Sequence, residues 1–446
     1  MELFDKSTIE NEIKELPSGI LTILFDAAVS SNITSIAIVG GVVRDLIKKS
    51  KNQDYEIIFN DLDLIIEGET SIYIKELQKV LGAERVKVIR DNRNYKTSEV
   101  IINGIKVDIA TAREEIYPIP GENPIVKLST IKKDLIRRDF NINAMAIELK
   151  DNRLIDLFSG SDAIENMKMD FLHKSSVLDD PTRVIRASRY SAKLDFDLSN
   201  QALKQIKDTI NLWPWNWHIG DNTDLAPSAL SIRLKMELEL LLEDKYWKNA
   251  LKNLQVCGGL KIVDSKLQND QRLIEKIFIA KKSNIEPLTA FVYESKSPIY
   301  LAKRLHLNQQ QKEIIEGACR LNKYLKNISA NHLYKNWSPS KWTNNLEEIN
   351  ANESSFMLEI CRDNPLKEYL KSWLFNWRNI ESPIKGDDLI AKGWEPGPEI
   401  GIEMKRLRMK LIDETIIFYL FNKYLFRNKT YFNPRSLLYK FFGINR

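Results

Sequence analysis

Two aspartates, Asp61 and Asp63, stand on either side of a single leucine in the run Asn60-Asp-Leu-Asp-Leu-Ile-Ile66. Alternate residues of a strand face the same side, so both carboxylates project together. Placed side by side they repel each other unless a cation lies between them. Divalent magnesium, which takes oxygen ligands, meets that need. About twenty residues earlier comes Ile36-Ala-Ile-Val-Gly-Gly-Val-Val-Arg44-Asp45. It reads as an apolar strand, a tight Gly40-Gly41 turn and an amphipathic helix opening with Arg44 and Asp45. Backbone N–H groups left free at such a helix start suit a phosphate. Singly, a Gly-Gly pair is more often only a turn, and an Asp-x-Asp only a solvated strand edge. In strand–turn–helix–strand order they describe a place where a metal-assisted nucleotidyl transfer could occur.

Three further groups follow. Asp108 lies on the strand Ile105–Ala110, after an Asn103-Gly104 hairpin turn, at the neighbouring position for a third carboxylate; the plainer account pairs it with Arg113. The run Lys133-Asp134-Leu-Ile-Arg137-Arg138-Asp139-Phe140-Asn141-Ile142-Asn143 would by itself be solvated ion pairs of little value. Behind a nucleotide-like unit, an arginine there can hold triphosphate and an Asp or Asn a ribose hydroxyl. In Asp179-Asp180-Pro181-Thr-Arg183-Val-Ile-Arg186, acids and a proline mark a helix start, and Asp180, Arg183 and Arg186 share one face. The plainer account is a capped helix with surface ion pairs. Trp213, Trp215 and Trp217 could stack bases; the preferred reading is that they plug a gap between helices.

The elements that must hold these residues are legible in outline. At 446 residues the chain is too long for one core, and about three domains are expected. A hydrophobic fraction of 43% is that of a globular protein. Net charge is +5, from 66 basic and 61 acidic residues, which is compatible with nucleic acid without being diagnostic. Three distant cysteines, Cys257, Cys319 and Cys361, fit a reducing cytoplasm. The N-terminal stretch lacks a basic, apolar leader pattern, and no run of apolar residues is long enough to span a membrane. A helical stripe is expected over residues 1–30, a helix over Ser71–Leu81, strands at Val86–Ile89 and Ser98–Ile102, and a loop over Pro118–Pro124. From about residue 155 the pattern turns helical and stays so. Ser228–Leu242 is an amphipathic helix with Arg233 and Glu237 at i and i+4. A glycine- and proline-punctuated link, Gly386–Gly401, precedes a basic helix carrying Lys405, Arg406, Arg408 and Lys410, a solvated face or a surface for an RNA backbone.

These residues resemble the bacterial-type (class II) tRNA nucleotidyltransferase and poly(A) polymerase family. Gly40-Gly41-Val-Val-Arg44-Asp45 with Asp61-Leu62-Asp63 is similar to its first motif, the 134–146 run to its second, and Asp179–Arg186 to its base-reading helix. The 228–242 helix is similar to the one that braces the base-reading helix, and Gly386–Gly401 to a motif of the tail. The 213–217 segment is most like cyanobacterial CCA-adding members. The resemblance implies an α+β chain: a polymerase-β-like head with a mixed sheet over 1–155, then an all-α neck over 156–250, body over 251–345 and tail over 346–446, the last binding tRNA. It implies catalysis and metal binding by Asp61 and Asp63 with Mg2+, and Gly40, Gly41 and Arg44 around the triphosphate. Arg138, Asp139 and Asn143 would face ribose and phosphate, and Asp180, Arg183 and Arg186 would serve the nucleotide.

The base-reading role makes physical sense. Cytosine and adenine each present an exocyclic amine beside a ring-nitrogen acceptor, which a carboxylate and a guanidinium complement. Uracil and guanine would leave those groups unpaired, at about 1–3 kcal/mol each.

The implied activity is template-independent addition of CCA to tRNA 3′ ends from CTP and ATP, in the cytoplasm, with no membrane and no obligate protein partner. Asp179 stands where the family usually has Glu, and Asn141 where it has Thr. A Gly-Arg-Arg-Phe-like stretch of the poly(A) branch is missing. The compact Pro118–Pro124 loop keeps CC-only or A-only addition open. Four scattered histidines without His-Asp pairing argue against an appended phosphohydrolase. A non-enzymatic alternative is an RNA-binding protein with a decayed head.

Overall fold

The computed structural model describes residues 4–93, 95–211, 228–331, 333–348 and 366–425; the Trp213–Trp217 segment, His218, His332 and Cys361 lie outside them. Contacts divide the chain into two compact units, Met1–Ile277 with Glu294–Leu307, and Phe278–Tyr293 with Asn308–Arg446. The fold is α+β, with a mixed sheet near the N-terminus and helices beyond it.

In the first unit, helices α1 (Lys6–Glu12) and α2 (Ile20–Ser30) precede strand β1 (Ile36–Val39). The expected continuous N-terminal helix breaks at Pro17-Ser18-Gly19. Gly19 adopts a positive φ of 77°, and the Glu10 carboxylate accepts from the N–H groups of Gly19 (2.7 Å) and Leu21 (2.8 Å). Proline cannot supply the helical N–H, so the stripe splits into two helices. Helix α3 (Gly41–Lys51) follows β1, then β2 (Leu62–Ile66), α4 (Thr70–Leu81), β3 (Val86–Asn92), β4 (Thr97–Ile102) and β5 (Ile105–Thr111). Strands β8 (Met145–Glu148) and β9 (Arg153–Asp156) complete a seven-stranded sheet of order β3-β4-β5-β2-β1-β8-β9. Within it β2 and β5 run parallel and the other neighbours antiparallel.

Burial alternates along β5 and β4, as a half-buried sheet requires. Val107 and Ile109 of β5 pack with Val100 and Ile102 of β4 and Leu62 and Leu64 of β2, all buried. Each such side chain contributes about 1.5–3 kcal/mol relative to exposure. The opposite face of these strands carries Asp63, Asp108 and Glu99 side by side: Asp63 pairs in register with Asp108, and Asp108 with Glu99.

The proline-rich loop at 118–124 is the tip of an unforeseen two-stranded hairpin, β6 (Arg113–Ile116) with β7 (Ile125–Leu128). Helix α5 (Ile131–Ile136) follows, its N-cap Thr130 accepting from the Lys133 N–H. Past residue 156 the unit is mainly helical: α6 (Gly160–Glu165), α7 (Ser176–Asp179), α8 (Arg183–Leu194), α9 (Asn200–Asn211), α10 (Ser228–Glu243) and α11 (Trp247–Val256). One pair of two-residue strands, β10 (Lys168–Met169) and β11 (Asp197–Leu198), interrupts the helical run.

The second unit is helical. Its core joins Leu321, Leu325 and Ile328 of the helix Gln309–Ala330, Trp342 and Leu346 of Pro339–Glu348, Leu370, Trp373 and Leu374 of Lys367–Phe375, and Ile412 of Pro398–Leu425. Trp342 stacks on Tyr369 at 5.0 Å between ring centres. The basic run of the last helix is not uniformly a solvated face. Arg408 donates to Glu347 (2.7 Å) and to the Ile380 carbonyl (2.6 Å), tying this helix to its neighbours. Arg406 pairs with Glu403 on the surface. No helix of the described residues is long and apolar enough to cross a membrane.

Candidate active site

All eleven residues that the sequence nominates (Gly40, Gly41, Arg44, Asp61, Asp63, Arg138, Asp139, Asn143, Asp180, Arg183 and Arg186) line one cleft of about 1140 Å³ in the first unit. Gly40 turns β1 into α3. Its φ of 74° is a conformation that L side chains rarely adopt. A Cβ on Gly40 would stand 2.5 Å from Asp63 Oδ2. Only glycine brings the helix start that close to the carboxylate.

Asp63 lies on β2, whereas Asp61 falls just ahead of the strand's first residue. The two are near enough to couple. Burial, then the charge of Asp61, pushes the Asp63 carboxyl up to about 6, against the lowering influence of Arg138. Asp108 is Asp63's in-register neighbour, but its partner is Lys106 (3.8 Å) rather than Arg113. Lys106 also binds Glu99 at 3.3 Å. Arg113 is engaged by Glu115 at 2.9 Å. The lysine pairs with the outer two acids of the row, whereas Asp63 makes no ion pair among the described residues and feels Arg138 and Lys106 only at longer range. Among the described residues no group of three or more His, Cys, Asp or Glu side chains could hold a metal ion. The fit for a cation rests on the carboxylate pair: acceptor-only oxygen ligands, mutual repulsion, and a glycine that leaves space at Asp63 Oδ2.

Beyond the pair, a continuous chain of polar contacts runs through the cleft. Arg44 Nε donates to Asp45 (2.9 Å) and Nη1 to Asn143 Oδ1 (3.0 Å). Asn143 Nδ2 donates to Asp139 Oδ1 (3.4 Å), and Asp139 Oδ2 accepts two N–H groups of Arg186, at 2.9 and 2.6 Å. Arg186 Nη1 reaches Glu237 (2.9 Å), which also accepts from Arg189 (3.2 Å). Burial alone would raise the Asp139 carboxyl, but the Arg186 guanidinium overrides it and holds the group below its ordinary value of 3.8. Asp134, fully buried, anchors Arg137 (2.7 Å) and Arg138 (3.3 Å). The arginine–aspartate cluster is thus an interior network, not a solvated one.

Asp180, Arg183 and Arg186 share a face of the cleft as their spacing predicts, although the helix begins at Arg183, and Asp180-Pro181 form the turn after α7. Asp180 Oδ1 accepts from the Thr182 N–H (3.1 Å) and hydroxyl (2.8 Å). Arg183 is 5% exposed. Its Nη2 donates to the Arg137 carbonyl (2.9 Å) and its Nη1 to the Ser176 hydroxyl.

Some contributors escaped the sequence reading. Arg233 and Glu237 do not serve each other. Arg233 Nε lies 3.4 Å from Asp180 while its Nη2 donates to the Gly121 carbonyl (2.7 Å) of the hairpin tip. Glu237 serves Arg186 and Arg189. The i, i+3 arginines of α8 were the available signal, since two guanidiniums on one buried face need a carboxylate. His173 does come beside an aspartate, 3.8 Å from Asp179, although the sequence offered no His-Asp pairing.

Residues 36–170 match the family model described as the poly A polymerase head domain. An A-adding tRNA nucleotidyltransferase of Aquifex aeolicus (strain VF5) is 26% identical over 396 residues, 84% of this chain and 45% of the relative. This chain therefore spans less than half the length of that protein. A CCA-adding enzyme of Pediococcus pentosaceus (strain ATCC 25745 / CCUG 21536 / LMG 10740 / 183-1w) is 24% identical, covering 85% of this chain and 89% of its own. A solved structure of a CCA-adding enzyme in an apo form superposes with a TM-score of 0.67 at 25% identity, over 93% of this chain and 96% of the other. Residues 36–170 thus match a poly A polymerase-type head, and the chain as a whole is similar in sequence and fold to bacterial tRNA nucleotidyltransferases.

Proposed function

We propose that this protein adds CCA to tRNA 3′ ends without a template, from CTP and ATP, as a cytoplasmic nucleotidyltransferase that releases pyrophosphate. The convergence of all eleven nominated residues on one cleft carries the reading. In it the head extends to about residue 155, the neck to 250, the body to 345 and the tail to the end, with the tail holding tRNA. Relatives named A-adding and CC-adding tRNA nucleotidyltransferases favour this substrate over generic RNA.

Asp61 and Asp63 would hold Mg2+, which when bound activates the RNA 3′-hydroxyl and neutralises the leaving pyrophosphate in an in-line displacement. The chain's own part is positioning. The α3 start at Gly40 and Gly41 offers N–H groups to the triphosphate, and Arg44 and Arg138 add positive charge. Asn143, held between Arg44 and Asp139, faces the ribose. Asp180 and Arg183 read the base edge. Their side chains already have protein partners, so reading requires them to exchange those hydrogen bonds for the base's. Arg186, bonded to both Asp139 and Glu237, fixes the base-reading helix against the head.

A-only addition is the second reading. It is favoured by the A-adding relative that matches 84% of this chain, and by a hairpin tip tied down by Arg233 and by a Gly121 N–H donating to the Asp179 carbonyl at 3.0 Å. One assay decides. Purified protein, magnesium and labelled CTP or ATP are combined with tRNA ending before its first C, with tRNA ending after its second C, or with a generic RNA. Incorporation of C and then A on the shortest tRNA is expected. A alone on the tRNA ending in CC would give the second reading, A on any RNA would give a poly(A) polymerase, and no incorporation would leave an RNA-binding protein.

A further inference from the structure

We propose that Ser176 is a specificity-determining positioning residue: its buried hydroxyl holds the Arg183 guanidinium in the attitude from which that side chain reads a base. The proposal rests on the reading in which Arg183 meets the base, and it names the residue that keeps that meeting selective.

Among the described residues, the arginines lining the cleft are Arg44, Arg137, Arg138, Arg183, Arg186 and Arg233. All but Arg183 have a carboxylate within ion-pair distance. Arg183 has none among the described residues, although it is buried. Its partners are neutral. The Arg137 carbonyl accepts from Nη2 (2.9 Å), and the Ser176 hydroxyl and carbonyl (3.4 Å) accept from Nη1. A buried guanidinium without a counter-charge is costly, and such a charge marks a place where a ligand uses it. A carboxylate in the same seat would add Coulomb attraction and grip the side chain; neutral acceptors let it go to a base.

Two of these three acceptors are backbone carbonyls, which any residue would supply. Only the hydroxyl depends on the side chain at position 176. Ser176 is fully buried at the start of α7, and its backbone is tied on both sides. Its own N–H donates to the His173 carbonyl (3.1 Å). Gln205 of α9 accepts from the Val177 N–H (3.0 Å) and donates to the His173 carbonyl (3.0 Å). A hydroxyl can also turn its proton or its lone pairs to a new partner, so it is not stranded when Arg183 moves onto a base.

Without that hydroxyl the guanidinium has another place to go. Arg183 also lines a second cavity of about 390 Å³, together with Glu114, Glu115 and Asp179. Glu114 is engaged by Lys133, and Glu115 by Arg113 and Arg137. Asp179 accepts from the neutral Ser175 hydroxyl (3.1 Å) and lies 3.8 Å from His173, whose ring burial holds below its ordinary 6.5 and so uncharged at pH 7. It is the carboxylate with charge to spare for a released Arg183.

The test measures Kd for CTP, ATP, UTP and GTP with the full chain and magnesium, and KM and kcat on tRNA for each nucleotide incorporated. Ser176→Ala and Ser176→Cys, the second keeping volume with a poor acceptor, should each cut the preference for CTP and ATP over UTP and GTP about tenfold, the worth of one hydrogen bond to a charged group. The loss should fall in Kd and KM, with kcat within about twofold. Ser176→Thr keeps the hydroxyl and should restore the preference, even where its methyl lowers the urea midpoint. In an Arg183→Ala background, Ser176→Ala should change the preference no further. An unchanged preference in the alanine and cysteine variants, where Arg183→Ala loses it, would overturn the proposal and leave Ser176 as packing for α7. A further loss in the Arg183→Ala background would also overturn it, since Ser176 would then act through another group. Full preference in Arg183→Ala itself is a different result: base reading by Arg183 fails, and the role of Ser176 with it. The Kd arm gives these answers whether or not any nucleotide is incorporated.

Discussion

The two sides of the cleft differ in how far the protein satisfies its own charges. On the sheet side, neither Asp61 nor Asp63 has an ion-pair partner among the described residues, and burial with the charge of Asp61 pushes Asp63 up to about 6. On the helix side, Asp180, Arg183 and Arg186 are bonded to Thr182, Ser176, the Arg137 carbonyl, Asp139 and Glu237. Uncompensated carboxylates are destabilising and persist only where a ligand relieves them. A saturated network is instead a rigid gauge, whose selectivity comes from having to trade existing hydrogen bonds for new ones. On the proposed reading, charge handling falls to the sheet and discrimination to the helices.

The largest expected effect breaks the sheet side. Asp61→Ala should lower incorporation by about a thousandfold or more, since it removes charge stabilisation at the reacting centre, while tRNA binding persists in a filter assay. Unchanged turnover would remove the metal role. Gly40→Ala should be comparably damaging without touching a charged group. The added methyl meets Asp63 Oδ2 at 2.5 Å in a backbone conformation that alanine resists. A Gly40→Ala protein with ordinary kcat would mean that the approach of helix to carboxylate is irrelevant.

Effects on the helix side should be smaller and of another kind. Arg183→Ala should relax the preference for CTP and ATP over UTP and GTP by roughly ten- to a hundredfold, the worth of one or two unpaired groups at 1–3 kcal/mol. Unaltered selectivity would take Arg183 out of base reading and leave it as a brace between Ser176 and Arg137. Glu237→Gln keeps the shape but removes the charge shared by Arg186 and Arg189. Because Arg186 is a third exposed, the loss in stability should be only about 1 kcal/mol, read as a shift in urea midpoint. The kinetic loss should appear in KM for nucleotide more than in kcat.

The same contrast explains what was legible beforehand. Asp63 and Gly40 were legible because strand alternation and a glycine turn are local rules, each fixed within a few residues, whereas Asp61, expected on the same strand, falls just ahead of it. The partners of Arg233, Glu237 and Asp108 could not be read that way. Spacing of i and i+4 made Arg233 and Glu237 neighbours on one helix, but α10 offers them to Asp180 and Arg186, 53 and 51 positions away in sequence. Asp108 was correctly placed beside Asp63, yet its partner was decided by Lys106 two residues back on the same strand face, not by Arg113. The hairpin β6–β7 hid because its strands are only four residues each and their apolar residues Ile116, Ile125 and Leu128 stay exposed, so no buried alternation marked them.

The smallest effect sharpens the comparison through pH. Asp139 sits where the two sides meet, and Arg186 holds its carboxyl below 3.8 in the folded protein. A group whose folded pKa is depressed binds fewer protons than its unfolded counterpart between the two values. The unfolded chain therefore gains on acidification, and stability falls as pH drops through that window. The contribution is complete above the unfolded value near 3.8 and disappears as pH falls through the folded one. Asp139→Asn should accordingly lower the urea midpoint at pH 7, and the gap to the unaltered protein should narrow between pH 5 and pH 3. Asp63 on the sheet side acts in the opposite direction, because its raised value makes protonation favour the folded state. A gap that stays constant across that range would mean that Asp139 contributes through its hydrogen bonds to Phe140 and Asn143 alone, and that the charge of Arg186 is balanced by Glu237 without help from the head.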